Sequence, residues 1–370
     1  MNDWMALWHK LIDWYTRPKT LAVKLISAGV ALIGISALGN FAGDMLFKSQ
    51  EIELRVSGST TGGLPNAWLY GIGALGLLLV VLGLILAWQD RKQMQRKCVI
   101  VMEHRGLFPI DTPLASSLPS TDVGRREELI VDVREGIEDG KLTRPDIALQ
   151  KIVDSRGDLK RRLERESPED VVLVYGGLNA VPLTFLAGLL LDDESHIKVF
   201  DWDRKPPGHW KEIAIGGDDQ KRFEVDQRSE GNQGEAILAL SVSYQVELAA
   251  IRKTFGDLPL THLRMRELSS DSHWSSEKQA SLAMQFFEEL KRLAACGFSR
   301  IHLIIAAPNS VVFQLGRIYD RRNLPPAIVH QFERTSSPAY PWGIELPSHG
   351  VTAPQLVYRS RATTATEQQT

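Results

Sequence analysis

The run from Ala67 to Trp88 constrains the fold of this chain more than any other feature, because its 22 residues include no charged side chain. At about 1.5 Å per residue, a helix of this length crosses a hydrocarbon core of about 30 Å. Trp68, Tyr70 and Trp88 lie near its ends, where aromatic rings favour the headgroup layer. We therefore predict a transmembrane helix.

A second apolar stretch precedes this run, from Leu21 to Phe47, and its part from Leu25 to Gly43 carries no basic or acidic residue. Lys24, near its start, can extend its amine to the membrane interface. The alternative is a cleavable signal peptide, which would need an unusually long leader rich in tryptophan. We expect a two-helix transmembrane region over residues 21–97.

Basic residues flank the two stretches and are sparse between them. Lys10, Arg17, Lys19 and Lys24 precede the first stretch, Arg91, Lys92, Arg96 and Lys97 follow the second, and only Lys48 and Arg55 lie between. Because basic residues accumulate on the cytoplasmic side, both termini are predicted to be cytoplasmic in a multi-pass protein of the cell inner membrane. The polar connector from Ser57 to Gly63 then faces outward.

Residues 1–20 form a predicted interfacial amphipathic segment. Trp4, Trp8, Leu11 and Tyr15 fall on one face of a helix that Pro18 would end. Such a helix lies flat at the inner interface, or it is an extension of the first membrane helix. At the other end of the chain, residues 359–370 are predicted to be a disordered tail.

Glycines recur inside both apolar stretches. Gly39 and Gly43 form a Gly-x-x-x-Gly pair, while Gly71, Gly73 and Gly76 match the dinucleotide-binding fingerprint. The fingerprint needs a preceding strand, so inside an apolar helix we interpret the match as accidental. Small residues at these positions let helices approach closely, within one subunit or between subunits.

The soluble part begins with a continuous apolar run, Cys98 to Met102, which is typical of a strand buried on both faces of a parallel sheet. A strand, turn and helix pattern then occurs twice. The first copy comprises a strand Val171–Tyr175, a turn Gly176–Asn179, a helix Val181–Leu191 and a strand Ile197–Asp203; the second comprises a strand Ile301–Ile305, a turn Ala306–Asn309, a helix Val311–Asp320 and a strand Ile328–Glu333. The repeat predicts an α/β fold with a parallel sheet in each copy.

The two copies agree at individual residues. Phe185, Gly188 and Asp192 match Phe313, Gly316 and Asp320 at a constant offset, Phe200-Asp201 matches Phe332-Glu333, and the run Ile237–Val242 corresponds to Cys98–Met102. We infer an internal duplication into two Rossmann-type halves, about 98–204 and 235–346, within a domain over 98–358. Lys205 to Gly234 is predicted to be a hairpin-bearing connector.

The residues that carry this repeat resemble those of the SAVED family, the signal-sensing domain of bacterial anti-phage systems built around cyclic-oligonucleotide synthases. The segment HLIIAAPNSVVFQLG, His302 to Gly316, resembles the family's late strand, turn and helix, and VVLVYGGLNAVPLTFLAG, Val171 to Gly188, is a weaker match. The resemblance extends from about Cys98 to Tyr358 and rests on short, mostly structural motifs. Asn309 and Ser310 occupy a turn where many relatives have only small residues.

The resemblance implies two fused CARF-like Rossmann-type halves behind an N-terminal two-helix transmembrane hairpin. It also implies binding of a cyclic di- or trinucleotide as the activating ligand, with no other cofactor. Further implications are ligand-driven stacking of protomers and disruption of the lipid bilayer that halts growth of the infected cell.

Candidate ligand-binding residues follow from the fold rule that ligands bind beyond the carboxyl ends of parallel strands. The predicted strand ends carry Glu103, His104, Arg105, Gly176, Gly177, Leu178, Asn179, Trp202, Arg204, Ser243, Tyr244, Gln245, Ala307, Pro308, Asn309, Ser310 and Arg334. Glycines admit a ligand to the backbone, helix starts and arginines bind phosphate, and aromatic rings stack on bases. The alternatives are helix capping by asparagine and serine, solvated strand-end arginines, and core or interface aromatic residues.

Other functions find less support. A net charge of -2 argues against binding a nucleic acid polymer, and Cys98 and Cys296 are too far apart in sequence for a metal-ligand motif. The sequence contains no common hydrolase or P-loop motif, so neither a metal site nor catalysis is predicted. His302 and His330 lie on adjacent predicted strands, either as an acid/base pair or as satisfied sheet histidines. A membrane-tethered nuclease that degrades cyclic oligonucleotides is the alternative function.

Overall fold

The computed structural model describes residues 21–38, 45–49, 52–56, 66–107, 110, 112–119, 124–138, 141–194, 196–228, 234–348 and 351–359. The chain forms two compact units that meet in sequence between Arg96 and Lys97. The predicted segment 1–20, the connector Ser57–Gly63 and almost all of the predicted tail lie outside the described residues.

The first unit contains two helices and a hairpin: α1 (Leu21–Leu38), β1 (Met45–Ser49), β2 (Ile52–Val56) and α2 (Asn66–Arg96). The part of α2 from Tyr70 to Lys92 is long and apolar enough to cross a membrane, whereas the apolar part of α1, Leu21–Ala37, is shorter. The predicted first span is wrong at its end, because Met45 to Phe47 belong to β1, which pairs antiparallel with β2. Alternating apolar and charged residues in Ile52–Val56 explain this strand.

Glycines bring α1 and α2 into contact. A Cβ atom on Gly29 would lie 2.5 Å from the carbonyl oxygen of Gly76, and one on Gly83 would lie 2.9 Å from that of Ala22. An added Cβ atom on Gly71, by contrast, would have no atom of the described residues within 4 Å. Close helix approach within one chain is therefore confirmed for Gly76, and the fingerprint glycines lie inside a helix. Gly39 and Gly43 lie outside the described residues.

The second unit begins with a five-stranded sheet. Its elements are β3 (Cys98–Arg105), β4 (Arg125–Asp132), the short strands β5 (Ile137–Glu138) and β6 (Lys141–Leu142), α3 (Pro145–Leu163), β7 (Val171–Leu178), α4 (Val181–Leu190), β8 (Ile197–Asp203) and β9 (His209–Glu212). The strand order is β4-β3-β7-β8-β9, while β5 and β6 pair separately. All neighbours in the large sheet are parallel except β8 and β9.

A seven-stranded sheet follows. Its elements are β10 (Phe223–Gln227), β11 (Glu235–Ser241), α5 (Leu248–Phe255), β12 (Leu260–Met265), α6 (Ser276–Ala295), β13 (Arg300–Ala306), α7 (Asn309–Ile318), β14 (Ala327–Gln331), β15 (Trp342–Glu345) and β16 (Gln355–Tyr358). The strand order is β10-β12-β11-β13-β14-β15-β16. The central strands β12, β11, β13 and β14 are parallel.

The structure corrects two predictions in this unit. The two described strands of the connector Lys205–Gly234 do not pair with each other: β9 forms an antiparallel hairpin with β8 of the first sheet, and β10 pairs with β12 of the second. The predicted turn at Gly176 is wrong, because β7 continues to Leu178 and pairs with β3 along its whole length. Glycine suits this strand because side chains from neighbouring elements fill the adjacent space, as described below.

The two halves share one topology, as the duplication predicted. In the first half β3 lies between β4 and β7, and β8 follows β7 in the sheet. In the second half β11 lies between β12 and β13, and β14 follows β13 in the sheet. The helices α4 and α7 contact each other and the opposite sheet, so they form the layer between the sheets. One hydrophobic core spans both halves.

Residues that were matched between the two copies contact each other where α4 packs on α7. A Cβ on Gly188 would lie 2.1 Å from the carbonyl oxygen of Phe313, and a Cβ on Gly316 would lie 2.1 Å from that of Phe185. Each glycine therefore packs on the phenylalanine backbone of the other copy. Tyr175 of β7 also stacks on Phe313, with ring centroids 3.8 Å apart.

Candidate functional site

The topology places a switch point in each half, which is where an open α/β sheet is expected to form a ligand crevice. The connection from β3 to β4 packs on one face of the first sheet, while α3 and α4 pack on the other. In the second half α5 packs on one face and α6 and α7 on the other. Connections therefore diverge at the carboxyl ends of β3 and β7, and of β11 and β13, where ligands bind in open α/β sheets. Most of the predicted site residues lie at these two places.

At the end of β3, the acidic and basic predicted residues bind each other. The Arg105 guanidinium donates to the Glu103 carboxylate at 2.6 and 3.1 Å, and Glu103 also accepts from the Leu114 backbone N–H at 2.9 Å. This hydrogen bond raises the pKa of Arg105. Glu103 is buried, so Arg105 is the residue of this pair that is left partly exposed.

His104 points into the protein. Its ring is buried against the edge of Tyr175, with centroids 5.2 Å apart, and burial lowers its pKa to about 3. The imidazole is therefore neutral at pH 7. Its Nε2 atom is buried and has no hydrogen-bond partner within the described part of the chain.

The two glycines of β7 are packed rather than open. A Cβ on Gly176 would lie 2.8 Å from Leu114 Cδ2, and a Cβ on Gly177 would lie 2.7 Å from the Tyr175 hydroxyl. Leu178 is also buried. The expectation that these glycines admit a ligand to the backbone is wrong, because protein side chains occupy the adjacent space.

The starts of α4 and α7 exchange hydrogen bonds between the halves. The Ser310 N–H at the start of α7 donates to Asp201 of β8 at 2.9 Å, and the Val181 N–H at the start of α4 donates to Gln331 of β14 at 3.2 Å. Each helix start thus binds an acceptor from a strand of the other half. An acceptor at a helix start satisfies a free N–H, and a carboxylate there also interacts favourably with the helix dipole.

Asn179 and Asn309, predicted in separate halves, meet at this exchange. The Asn309 side-chain oxygen accepts from the Thr184 hydroxyl at 2.8 Å and from the Asn179 N–H at 3.4 Å. The alternative that Asn309 and Ser310 cap their own helix is wrong, since Pro308 holds the cap position and makes no side-chain cap bond. The Ser310 hydroxyl accepts instead from Gln279 at 3.0 Å.

One polar atom at this junction has no partner. Asn179 is 2% exposed, and its Nδ2 atom is buried without a hydrogen-bond acceptor in the described residues. A buried donor is costly when unsatisfied, so such an atom is a natural contact for a ligand oxygen.

The other predicted residues form the rim of the two crevices. Ser243 is buried, Ala307, Pro308 and Trp202 are half-buried, and Arg204, Gln245 and Arg334 are exposed. Trp202 packs edge-on against Trp210, with centroids 5.5 Å apart, so part of its ring is occupied. Tyr244 is 58% exposed, which leaves its ring available for stacking.

Comparison with known proteins assigns the family. Residues 155–346 match the model of the SAVED domain, described as the "SMODS-associated and fused to various effectors sensor domain". The chain belongs to the SAVED family. Residues 1–149 match a second model, the SAVED-fused 2TM effector domain. The chain therefore joins a SAVED sensor to a membrane-associated effector region, in agreement with the apolar helix α2.

Solved structures resemble the chain only distantly. The Cap4 SAVED/CARF-domain containing receptor of Acinetobacter baumannii, solved with the cyclic trinucleotide 2'3'3'-cAAA, is 11% identical with a TM-score of 0.46; the alignment covers 74% of this chain and 58% of the receptor. The receptor of Moraxella osloensis is 9% identical with a TM-score of 0.42, covering 78% and 59%. This chain thus spans less than two thirds of either receptor. No curated protein matches it.

Sequence reasoning missed several residues of the SAVED domain's strand ends. Asp201 and Gln331 were absent from the predicted site, although Asp201 lay within a matched pair of the repeat. That pairing placed Glu333 opposite Asp201, whereas the structure gives the equivalent role to Gln331, and Glu333 accepts from the Trp342 indole at 3.1 Å. Arg264 and Arg266 were missed because β12 was not predicted.

The two sheet histidines of the SAVED domain do face each other. His302 Nδ1 lies 2.9 Å from His330 Nε2, and His302 Nε2 lies 2.9 Å from Glu235. Both rings are buried against Phe255, and burial lowers the pKa of each. The arrangement favours buried sheet histidines over an acid/base pair open to a substrate, although His330 Nδ1 has no hydrogen-bond partner among the described residues.

One group of described residues has a geometry that can hold a metal ion: Cys98, Glu127 and Glu166. The Arg125 guanidinium lies among them, 3.0 Å from Glu127 and 3.9 Å from the Cys98 sulfur, and it also pairs with Glu166. A cationic side chain already neutralises these carboxylates, so the group is better explained as an ion-pair cluster.

Proposed function

We propose that this protein is a membrane effector of a bacterial anti-phage signalling system, in which the SAVED domain binds a cyclic oligonucleotide second messenger. The observation that carries the proposal is the pair of topological switch points, one from each half, joined through the exchanged hydrogen bonds at the starts of α4 and α7. A ring of nucleotides presents several phosphates and bases at once. Two related crevices side by side suit such a repeated ligand.

In this proposal, the ligand contacts are side chains at the strand ends that are exposed or lack a hydrogen-bond partner among the described residues. Tyr244 offers a face on which a base can stack, and the Asn179 Nδ2 atom offers a donor to a ligand oxygen. In this proposal, Arg105, Arg204 and Arg334 bind phosphates at the rims. The helix starts act indirectly, because Asp201 and Gln331 already occupy their first N–H groups.

In this proposal, ligand binding drives self-association of the sensors. Two unlike halves favour head-to-tail contacts, which can propagate along a stack of protomers. Stacking gathers the apolar helices in the cell inner membrane and disrupts the bilayer, which causes growth arrest or cell death. The basic residues at both ends of the membrane region support a cytoplasmic position for the sensor.

Dye release from vesicles tests the proposal directly. The full chain is reconstituted into vesicles of phosphatidylethanolamine and phosphatidylglycerol that hold a quenched dye. Cyclic di-, tri- and tetranucleotides are then added, including 2'3'3'-cAAA and 3'3'3'-cAAA. We expect one member of the panel to release the dye and to increase the oligomer size of the detergent-solubilised protein. A panel that binds without release or oligomer growth would refute the effector mechanism.

Variants of Tyr244, with Tyr358 as a control position, test the proposed stacking contact. Base stacking contributes about 1–3 kcal/mol, so Tyr244→Ala should weaken ligand binding by about five- to 150-fold, whereas Tyr244→Phe keeps the ring and should bind normally. Tyr358→Ala is the control, because Tyr358 is 63% exposed on β16. Chromatography of the recovered ligand examines the alternative, since a membrane-tethered nuclease would return cleaved nucleotides.

A further inference from the structure

A small cavity lies at the edge of the second sheet. Its volume is about 240 Å³, and it is lined by Glu224, Val225 and Asp226 of β10 and by Arg264 and Arg266 at the carboxyl end of β12. It is separate from the crevice between β11 and β13, because β12 lies on the other side of β11. Four of its five lining side chains are charged, two of each sign.

Arg264 lacks a partner in this cavity. Its Nε atom is buried and makes no hydrogen bond within the described residues. No salt bridge in that part of the chain includes Arg264 or Arg266, although Glu224 is directly opposite Arg264 in the strand register. Arg264 as a whole is half-buried, but a buried guanidinium nitrogen is normally hydrogen-bonded, so its Nε is left for an acceptor that the described residues do not supply.

Asp226, in contrast, is held in place. Its carboxylate accepts from His262 Nδ1 at 3.0 Å, and His262 Nε2 lies 2.9 Å from the Ser241 hydroxyl. Ser241 in turn accepts from the Val246 N–H at 3.0 Å. Burial lowers the pKa of His262 despite its bond to Asp226, so the ring is neutral at pH 7.

Because His262 is neutral, the donor and the acceptor of each hydrogen bond in this series are determined. Nδ1–H donates to Asp226, the Ser241 O–H donates to Nε2, and the Val246 N–H donates to Ser241. Ser241 is fully buried and already accepts a backbone N–H, so it is not a nucleophile despite its resemblance to a serine, histidine and aspartate triad. The bonds instead orient the Asp226 carboxylate and connect it to the Ser243–Gln245 loop.

We propose that this cavity is a binding site for a ribose phosphate unit, with Arg264 and Arg266 binding the phosphate and Asp226 accepting from a ribose hydroxyl. A simple anion would meet the two carboxylates, and a metal cation would meet the two arginines. A ligand with a phosphate at one end and hydroxyl donors at the other satisfies both charge types. The cavity is also below the usual size of drug-like pockets, which suits a sugar phosphate.

Calorimetric titration of the full chain in detergent tests this site with three probes: ribose 5-phosphate, inorganic phosphate and ribose. We expect ribose 5-phosphate to bind most tightly. Arg264→Gln should weaken ribose 5-phosphate and phosphate at least tenfold. Asp226→Asn should weaken ribose 5-phosphate to the level of phosphate and leave phosphate itself unchanged or tighter, a split that a general loss of folding cannot produce.

Two control variants separate this site from the proposed ligand crevice. Arg322→Gln removes an exposed arginine elsewhere in the same half and should leave all three probes unchanged. Arg334→Gln should weaken only cyclic oligonucleotides in the vesicle assay. Binding of ribose 5-phosphate that survives Arg264→Gln would overturn the site, whatever the outcome for cyclic oligonucleotides. Loss of cyclic oligonucleotide binding in Arg264→Gln would identify the ribose phosphate as part of that same ligand.

Discussion

Substituting Gly188 by alanine tests the contact that joins the two halves. The new Cβ would lie 2.1 Å from the Phe313 carbonyl oxygen, whereas real Cβ atoms essentially never approach closer than 3.0 Å. The helices α4 and α7 must therefore separate by roughly 1 Å, and gaps of that size forfeit about a quarter to a half of each van der Waals contact. The obstacle is backbone, so it cannot rotate away.

The expected loss follows from two opposing effects. Overpacking costs about 1–3 kcal/mol, and the backbone clash places Gly188→Ala at or above the upper end of this range. The higher helix propensity of alanine stabilises the helix by about 1 kcal/mol relative to glycine. We therefore expect the free energy of unfolding of the sensor domain to fall by about 2 kcal/mol, which lowers Tm by about 4–8 °C.

Gly157 provides the matched control. It lies in the middle of α3 and is exposed, and a Cβ atom added to it would have no atom of the described residues within 4 Å. Gly157→Ala should therefore gain about 0.5–1 kcal/mol from propensity alone. Thermal unfolding of both variants, followed by tryptophan fluorescence, measures the difference. If Gly188→Ala unfolds at the same temperature as Gly157→Ala, the close contact between α4 and α7 does not exist.

Two further predictions concern buried charge. Between pH 6.5 and about 3 the unfolded chain binds a proton at His104 that the folded protein does not, so the contribution of His104 to stability is complete above pH 6.5 and falls by about 2 kcal/mol at pH 5. Urea unfolding at several pH values should show that the free energy of unfolding depends less steeply on pH in His104→Leu. An unchanged dependence on pH would contradict the buried position of His104. Asp201→Ala should cost about 1–2 kcal/mol, because it removes the two acceptor oxygens of the Ser310 and Trp202 N–H groups. Asp201→Asn keeps one of these acceptors and should lose less stability. Equal losses in the two variants, measured by thermal unfolding, would mean that Asp201 does not cap α7.

Local patterns were sufficient to predict the parts of the fold that are apolar and continuous. The uncharged run Ala67–Trp88 predicted α2, and the run Cys98–Met102 predicted β3. By contrast, β12 reads Leu-Thr-His-Leu-Arg-Met and escaped detection. His262 is tolerated inside the sheet because specific partners, Ser241 and Asp226, satisfy its two ring nitrogens. Hydrophobic periodicity does not register such partners.

A glycine in this sequence can mark either a turn or a close contact with another element, and only the structure distinguishes the two. Gly176 resembled a turn residue, but it lies inside β7 because Leu114 and Trp210, distant in sequence, fill the space that a side chain would need. Gly188 and Gly316 were recognised from the repeat as matched positions, but not as the two sides of one contact. A single sequence reveals that two segments are alike, whereas whether they touch depends on the tertiary fold.

The exchange at the helix starts explains why the site was predicted only in part. Sequence matching detects identical residues in the two halves, whereas Asp201 and Gln331 are different side chains that both accept a hydrogen bond from an N–H at a helix start. Because each helix start depends on a strand of the opposite half, neither crevice is complete in its own half. A ligand that moves one helix start must therefore change a hydrogen bond of the other half, which links the two crevices without any additional moving part.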